Sequence, residues 1–336
     1  MANRSERIVG KSAGAHQRDR VVHVVLVYAS IVLLILGSCE VILRFYDPSV
    51  LKTELDERNL LYRYDSELGW FPIPNSDAQY TASRTVVVQH NSLGLRDREY
   101  GDVVKETFLF LGDSFVWGYD AEANERFTDI LQRDLPKERI VNAGVSGYGT
   151  DQEYLLMKRL WTHIRPNVVV LIFHKGTDHE DNTSNHLSDG YYKPYYVLTP
   201  DGGEFKGIPV PKSRRYFFTD TRLARNLLLA RLAVSVFVAL EHPKIHVPDP
   251  TKHLIAMMRQ FVEANGASFL VGLQDREPEL EAFLRAQGIP YTSFDDAPQY
   301  PDFGRHWTPE GHALVAARLR ALFAETGLLS SDNANQ

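Results

Sequence analysis

At 336 residues the chain can bury one large core with appendages, or two small ones. With 44% hydrophobic and 24% charged residues it sits with ordinary folded proteins, away from disordered, collagenous or low-complexity chains. Thirty-seven basic and 43 acidic residues leave a formal charge of −6, so no general positive field exists to grip nucleic acid, and the single cysteine, Cys39, excludes an internal disulfide framework or a cysteine-rich metal site.

Residues 21–39 read VVHVVLVYASIVLLILGSC and carry no formal charge. A helix of that length spans the hydrocarbon layer of roughly 30 Å. Arg4, Arg7, Lys11, Arg18 and Arg20 precede it, and such a basic flank stays on the cytoplasmic side. The expected topology is a cytoplasmic stretch over 1–20, a transmembrane helix over 21–45, and an extracytoplasmic remainder. A cleavable secretory signal is an alternative, opposed by the long basic region and long apolar run. Lipoprotein-type processing at Leu36-Gly37-Ser38-Cys39 is another, opposed by the apolar residues that resume after Glu40. A buried core helix is the third.

Residues 46–104 hold short apolar runs broken by turn chemistry, with a strand over 85–88, and are expected to form a β-rich lead-in segment packed on the main domain. From residue 105 to 328 the pattern becomes α/β. Strands are predicted over 108–111, 139–141, 168–173, 268–273 and 290–294, with helices over 125–135, 152–162, 251–265, 277–287 and 309–326. The irregular stretch 183–246, helical near 223–240, reads as an insertion capping the carboxyl ends of the strands. The tail over 329–336 is expected to be disordered.

Four loops carry chemistry. The first strand ends in Gly112-Asp113-Ser114, which places a serine where a parallel sheet presents groups to ligand; a turn serine capping a helix is the plainer alternative. The second strand runs into Asn142-Ala143-Gly144-Val145-Ser146-Gly147, where glycines let backbone N–H groups approach a negative oxygen. The third is followed by His174-Lys175-Gly176-Thr177-Asp178-His179-Glu180-Asp181-Asn182, whose histidines and acids suggest a lining of the same pocket, with a solvated polar loop or a metal site as alternatives, although no spacing there is diagnostic of a metal. The last segment, Asp302-Phe303-Gly304-Arg305-His306-Trp307-Thr308-Pro309, puts His306 just before a helix with Thr308 as N-cap and Pro309 at its first position. A histidine so placed can act as general base to a serine, with Asp302 upstream to fix its tautomer, while His312, inside the helix, reads as a packing residue.

In that order along one α/β pattern, the blocks over residues 107–323 resemble the SGNH hydrolase, or GDSL-like esterase and lipase, superfamily. Leu68-Gly69-Trp70 and Asn91-Ser92-Leu93-Gly94-Leu95-Arg96 resemble the lead-in of its membrane-anchored bacterial members. The resemblance implies a flavodoxin-like three-layer α/β/α sandwich with a parallel sheet. It implies Ser114 as nucleophile, His306 as base and Asp302 as orienting acid, with the N–H groups of Ser114 and Gly147 holding the oxyanion. The chain departs from the family in two places. Thr177 stands where the family carries an oxyanion asparagine, and Asp302 precedes His306 by four residues where three is commoner, which leaves Asp295 and Asp296 as further candidates for the acid.

The expected function is a membrane-anchored serine esterase cleaving acyl esters, acetyl first among them, on an envelope carbohydrate, with no metal and no cofactor. An acyltransferase to a polysaccharide is the alternative, and Tyr191, Tyr192, Tyr195 and Tyr196 would suit a sugar platform in either case. A binding module on the same fold with little turnover is a third reading, motivated by Thr177.

Overall fold

The computed structural model describes residues 6–52, 61–101, 105–187 and 190–329. Of the tail expected to be disordered over 329–336, Leu329 is buried against the main core, and the rest lies outside these residues, as do Arg4 of the basic flank and parts of the lead-in segment.

The chain divides into two compact units, Met1–Thr53 with Arg214–Glu241, and Glu54–Ser213 with His242–Gln336. The larger unit is built on a five-stranded parallel sheet whose strands are β1 (Thr107–Leu111), β2 (Arg139–Asn142), β3 (Val168–Phe173), β4 (Ser268–Leu273) and β5 (Tyr291–Ser293). Their order is 2-1-3-4-5, the flavodoxin-like arrangement. All five were legible as short β-branched or aromatic runs, most continuously in β1, β3 and β4, where strands buried on both faces read as apolar stretches; β5, at the sheet edge, is only half-buried. The connecting helices are α1 (Ser114–Trp117), α2 (Phe127–Asp134), α3 (Thr150–Ile164), α4 (Asp178–Asn182), α5 (Thr251–Ala264), α6 (Pro278–Gln287) and α7 (Pro309–Glu325).

Side-chain alternation along the strands sends Phe108, Phe110, Val168, Val170, Ile172 and Leu270 into one core with Phe127 and Leu131 of α2 and Val315, Leu319 and Phe323 of α7. Leu109, Leu111, Val169 and Leu171, pointing the other way, are equally buried, and α3 and α5 adjoin the sheet. Thr308 caps α7 by accepting from the Gly311 N–H, with Pro309 at the first helical position as expected.

The lead-in segment folds as two antiparallel hairpins, Tyr62–Asp65 with Gly69–Pro72 and Asp77–Thr81 with Thr85–Gln89. Trp70 is fully buried and donates its indole N–H to the Ser146 carbonyl, while the Gln152 amide donates to the Leu68 carbonyl. Leu68-Gly69-Trp70 thereby fixes the loop after β2.

In the smaller unit the apolar helix runs Glu6–Tyr46, and its stretch Arg18–Tyr46 is long and apolar enough to cross a membrane. The helical stretch expected within the insertion belongs to this unit, as the helices Arg214–Asp220, Arg222–Asn226 and Leu228–Glu241. Leu51, Phe218 and Ala224 form its core, with Leu43, Leu228, Ala230 and Val234 packed against them.

Candidate active site

The strand order reverses between β1 and β3, and the crevice beyond the carboxyl ends of these two strands is where doubly wound sheets bind ligands. Ser114 follows β1 directly, as the first residue of α1. Asp113 caps that helix by accepting from the Phe115 N–H at 2.9 Å. The loop after β2 closes against α1: a Cβ at Gly144 would lie 2.2 Å from the Trp117 nitrogen, so only glycine fits there. Asn142 braces the same contact, its amide donating to the Val116 carbonyl and its oxygen accepting from the Gly144 N–H. Gly147, with φ +79°, turns the backbone beyond it.

His306 comes from the far side of the sequence, and its Nε2 lies 2.8 Å from Ser114 Oγ. The ring is buried, stacked on Tyr119 at 4.3 Å and flanked by Phe115. Burial pushes its pKa down to about 4, with Asp113 opposing and His174 adding to the shift. The imidazole is therefore neutral at ordinary pH, the state a general base requires.

A carboxylate other than the expected Asp302 comes beside the His306 ring. Asp302 is exposed, and its backbone carbonyl, not its carboxylate, is the part that meets Ser83. Asp295 accepts from Ser293 and Asp296 pairs with Arg318. The carboxylate that faces the ring is Asp120, whose Oδ2 lies 3.8 Å from Nδ1, with the Phe303 carbonyl also beside the ring. Asp120 is fully buried and sits at φ +61°, a region that asparagine and aspartate tolerate better than most residues. Its Oδ1 accepts from the Ser83 and Arg84 N–H groups, at the turn of the second hairpin. Burial raises its pKa, and these amide donors partly offset the rise. Sequence reasoning missed Asp120 because the pairing joins two turns distant in the chain; the available signal was an aspartate just past a glycine, in Gly118-Tyr119-Asp120.

The motif Asn91 to Arg96 supports the same turn. The Asn91 side-chain oxygen accepts from Leu93 and Leu95, a local turn that delivers Arg96 inward. The buried Arg96 guanidinium lies 4.7 Å over the Trp117 ring and donates to the carbonyls of Trp117, Gly118 and Ala121, which bracket Tyr119 and Asp120.

Beyond β3, Thr177 is exposed and its hydroxyl lies 2.8 Å from His174 Nδ1, which is also 2.8 Å from Asp113 Oδ2. Burial works against ionisation of Asp113, yet His174 and the Phe115 N–H outweigh it and hold the carboxyl below its usual range. Behind Asp113 lies a buried set of acids. Asp151 pairs with the equally buried Lys193, whereas Glu153 and Asp178 are driven well up by burial first and by their neighbours' charges second. His179 is spoken for, with its ring nitrogens 2.7 Å from Asp249 and 2.8 Å from Glu277. Tyr191, Tyr192 and Tyr196 are buried and form no exposed platform: Tyr191 packs on Trp70, the Tyr192 hydroxyl donates to the His242 carbonyl, and Tyr196 stacks on His253. His312 is buried beside Phe127, whose N–H donates to its Nδ1, which is the packing role expected of it.

No family model and no curated protein matches the chain. Among solved structures it is similar to a lipolytic protein of the G-D-S-L family from Desulfitobacterium hafniense, at 11% identity and TM-score 0.37 over 65% of this chain and 99% of that one. It is similar to a GDSL-like lipase from Bacteroides thetaiotaomicron, at 16% and 0.33 over 66% and 89%. A catalytic mutant of an acetylxylan esterase from Geobacillus stearothermophilus matches at 12% and 0.35 over 66% and 95%. At these scores the likenesses carry no weight for activity or substrate.

Proposed function

We propose that the protein is a membrane-anchored serine esterase, and the observation that carries this reading is the 2.8 Å contact between Ser114 Oγ and His306 Nε2 at the switch point of the sheet. With the proton on Nδ1, facing Asp120 and the Phe303 carbonyl, Nε2 offers its lone pair to the Ser114 hydroxyl. The oxygen attacks the ester carbonyl as His306 takes its proton. Collapse of the tetrahedral intermediate expels the alcohol, which leaves with that proton, and water then hydrolyses the acyl-enzyme by the same route.

The oxyanion is assigned to the backbone N–H groups of Ser114 and Gly147. Thr177 remains a candidate third donor. If His174 carries its proton on Nδ1, both Asp113 Oδ2 and Thr177 Oγ1 act as acceptors toward it, and the Thr177 hydroxyl proton is left for a substrate oxygen. Asp120 takes the orienting role in place of Asp302. The finer assignments are an extracytoplasmic domain behind a single-pass anchor and short acyl groups, acetyl first, on an envelope carbohydrate. They rest on the apolar helix with its basic flank and on the sequence blocks.

The test uses the full chain in detergent micelles with p-nitrophenyl acetate and longer-chain homologues. Hydrolysis is expected to favour the short ester, to fall by at least about 10³-fold in Ser114→Ala, and to be lost when a fluorophosphonate labels Ser114. Undiminished turnover in that variant would remove the mechanism.

A further inference from the structure

The helix Leu228–Glu241 is amphipathic the wrong way round for a protein in water. Leu232, Ala233, Val236, Phe237 and Leu240 form one outward stripe at helical spacing, with Phe237 60% and Leu240 81% exposed. The polar Arg231 and Ser235 are turned to the partly buried side, where Arg231 donates to the carbonyls of Leu51 and Ala224. A continuous stripe of this kind, left in water, is an unfavourable surface that normally marks a contact.

Its attachment says what covers it. The helix starts against the apolar span: the Glu40 carboxylate accepts from the N–H groups of Leu228 and Leu229, satisfying two of the unpaired donors at the helix start and complementing its dipole. Arg44, one turn on, pairs with Glu40 and donates to the Asn226 carbonyl. Glu40 lies six residues before the end of the apolar helix at Tyr46, a rise of about 9 Å. That is the depth, on the order of 5–10 Å, at which interfacial helices seat their apolar face. Phe45 and Tyr46 are exposed at the same end, where aromatic side chains favour the lipid–water boundary. The three helices from Arg214 to Glu241 carry five arginines against Asp220 and Glu241, a charge balance that complements lipid phosphates.

We infer that the outward stripe of Leu228–Glu241 lies in the interface of the bilayer that the Arg18–Tyr46 helix crosses, so that the chain has a second, monotopic membrane contact. The inference rests on the anchor reading above. It is tested on the full chain in nanodiscs, in a Cys39→Ser background, with bimane attached singly through Ile35→Cys, Phe237→Cys, Leu240→Cys or, as an aqueous control, Asp201→Cys. Brominated lipids should quench the probes at 35, 237 and 240 several-fold more than the control, while aqueous iodide should quench only the probe at 201. Quenching by lipid at 35 but not at 237 or 240 overturns the interfacial helix and leaves the anchor standing. Absence of lipid quenching at all positions overturns both. Protection from iodide at 237 and 240 without lipid quenching, together with cross-linking of two copies through Leu240→Cys, overturns the proposal in favour of a protein–protein face.

Discussion

Asp120 carries a left-handed backbone, a buried carboxylate and two amide donors on one oxygen, an expensive arrangement for a residue with no further task. The other oxygen faces His306. If it orients the imidazole, Asp120→Asn should lower kcat on the order of 10²–10⁴-fold by releasing the wrong tautomer, while Asp302→Asn, an exposed change, should leave kcat as it was. The reverse result, read by steady-state kinetics on an ester substrate, would return the role to Asp302. The pH dependence carries a sign. The His306 pKa is depressed, so its neutral form persists down to about pH 4, and the acid limb of kcat/KM should fall there instead of near the ordinary histidine value of about 6.5. Ser114 and His306 were legible as types placed after a strand and before a helix. Asp120 was not, because it lies far from His306 in the chain and only the fold brings its carboxylate beside the ring.

At the scale of elements, α3 and α4 bring Glu153 and Asp178 together behind Asp113, where burial first and neighbouring charges second push both carboxyls well up. A carboxyl whose folded pKa is raised stabilises most below its unfolded value of 4.5; above that, the unfolded chain releases a proton that the folded one keeps, so stability falls as pH rises toward the folded pKa. Glu153→Gln removes that slope while keeping the shape. Its Tm relative to the wild-type protein should therefore rise with pH above the ordinary glutamate value of 4.5, and parallel Tm curves would show that the fold does not raise the Glu153 pKa. Element types were legible from periodicity, but cross-element partners were not: a capping sequence announces itself locally, as Thr308-Pro309 did, while Arg96 clamping the turn at Asp120 depends on where a hairpin lands.

The whole molecule separates by what each part asks of its solvent. The doubly wound unit closes its own core, and the order of its five strands is the flavodoxin-like one that the family resemblance implied; the α/β pattern by itself gave the strands, with right-handed crossovers limiting how they can be arranged. A helical stretch rich in leucine and valine, such as the one in the insertion, reads alike as a cap over a site or as a partner for another apolar helix; periodicity gives a face, not its occupant. The two ends of the stretch 214–241 meet at one residue of the larger unit. Ser213 Oγ accepts from the Tyr192 N–H, and the His242 carbonyl accepts from the Tyr192 hydroxyl, so both junctions are held at the two ends of one tyrosine. A six-residue Gly/Ser linker, which reaches roughly 20 Å when extended, can replace Arg214–Glu241 without moving either. A chain that starts after Thr53 and carries this replacement should be monomeric without detergent and keep kcat and KM on a small soluble ester. The same truncation with Arg214–Glu241 retained should aggregate, because the Leu228–Glu241 helix has then lost the Glu40 carboxylate and the Leu43 contact and shows its apolar stripe to water. Sedimentation of the two chains side by side decides it: if the linker version precipitates and the other stays monomeric, the helices belong to the fold of the catalytic unit and not to the anchor.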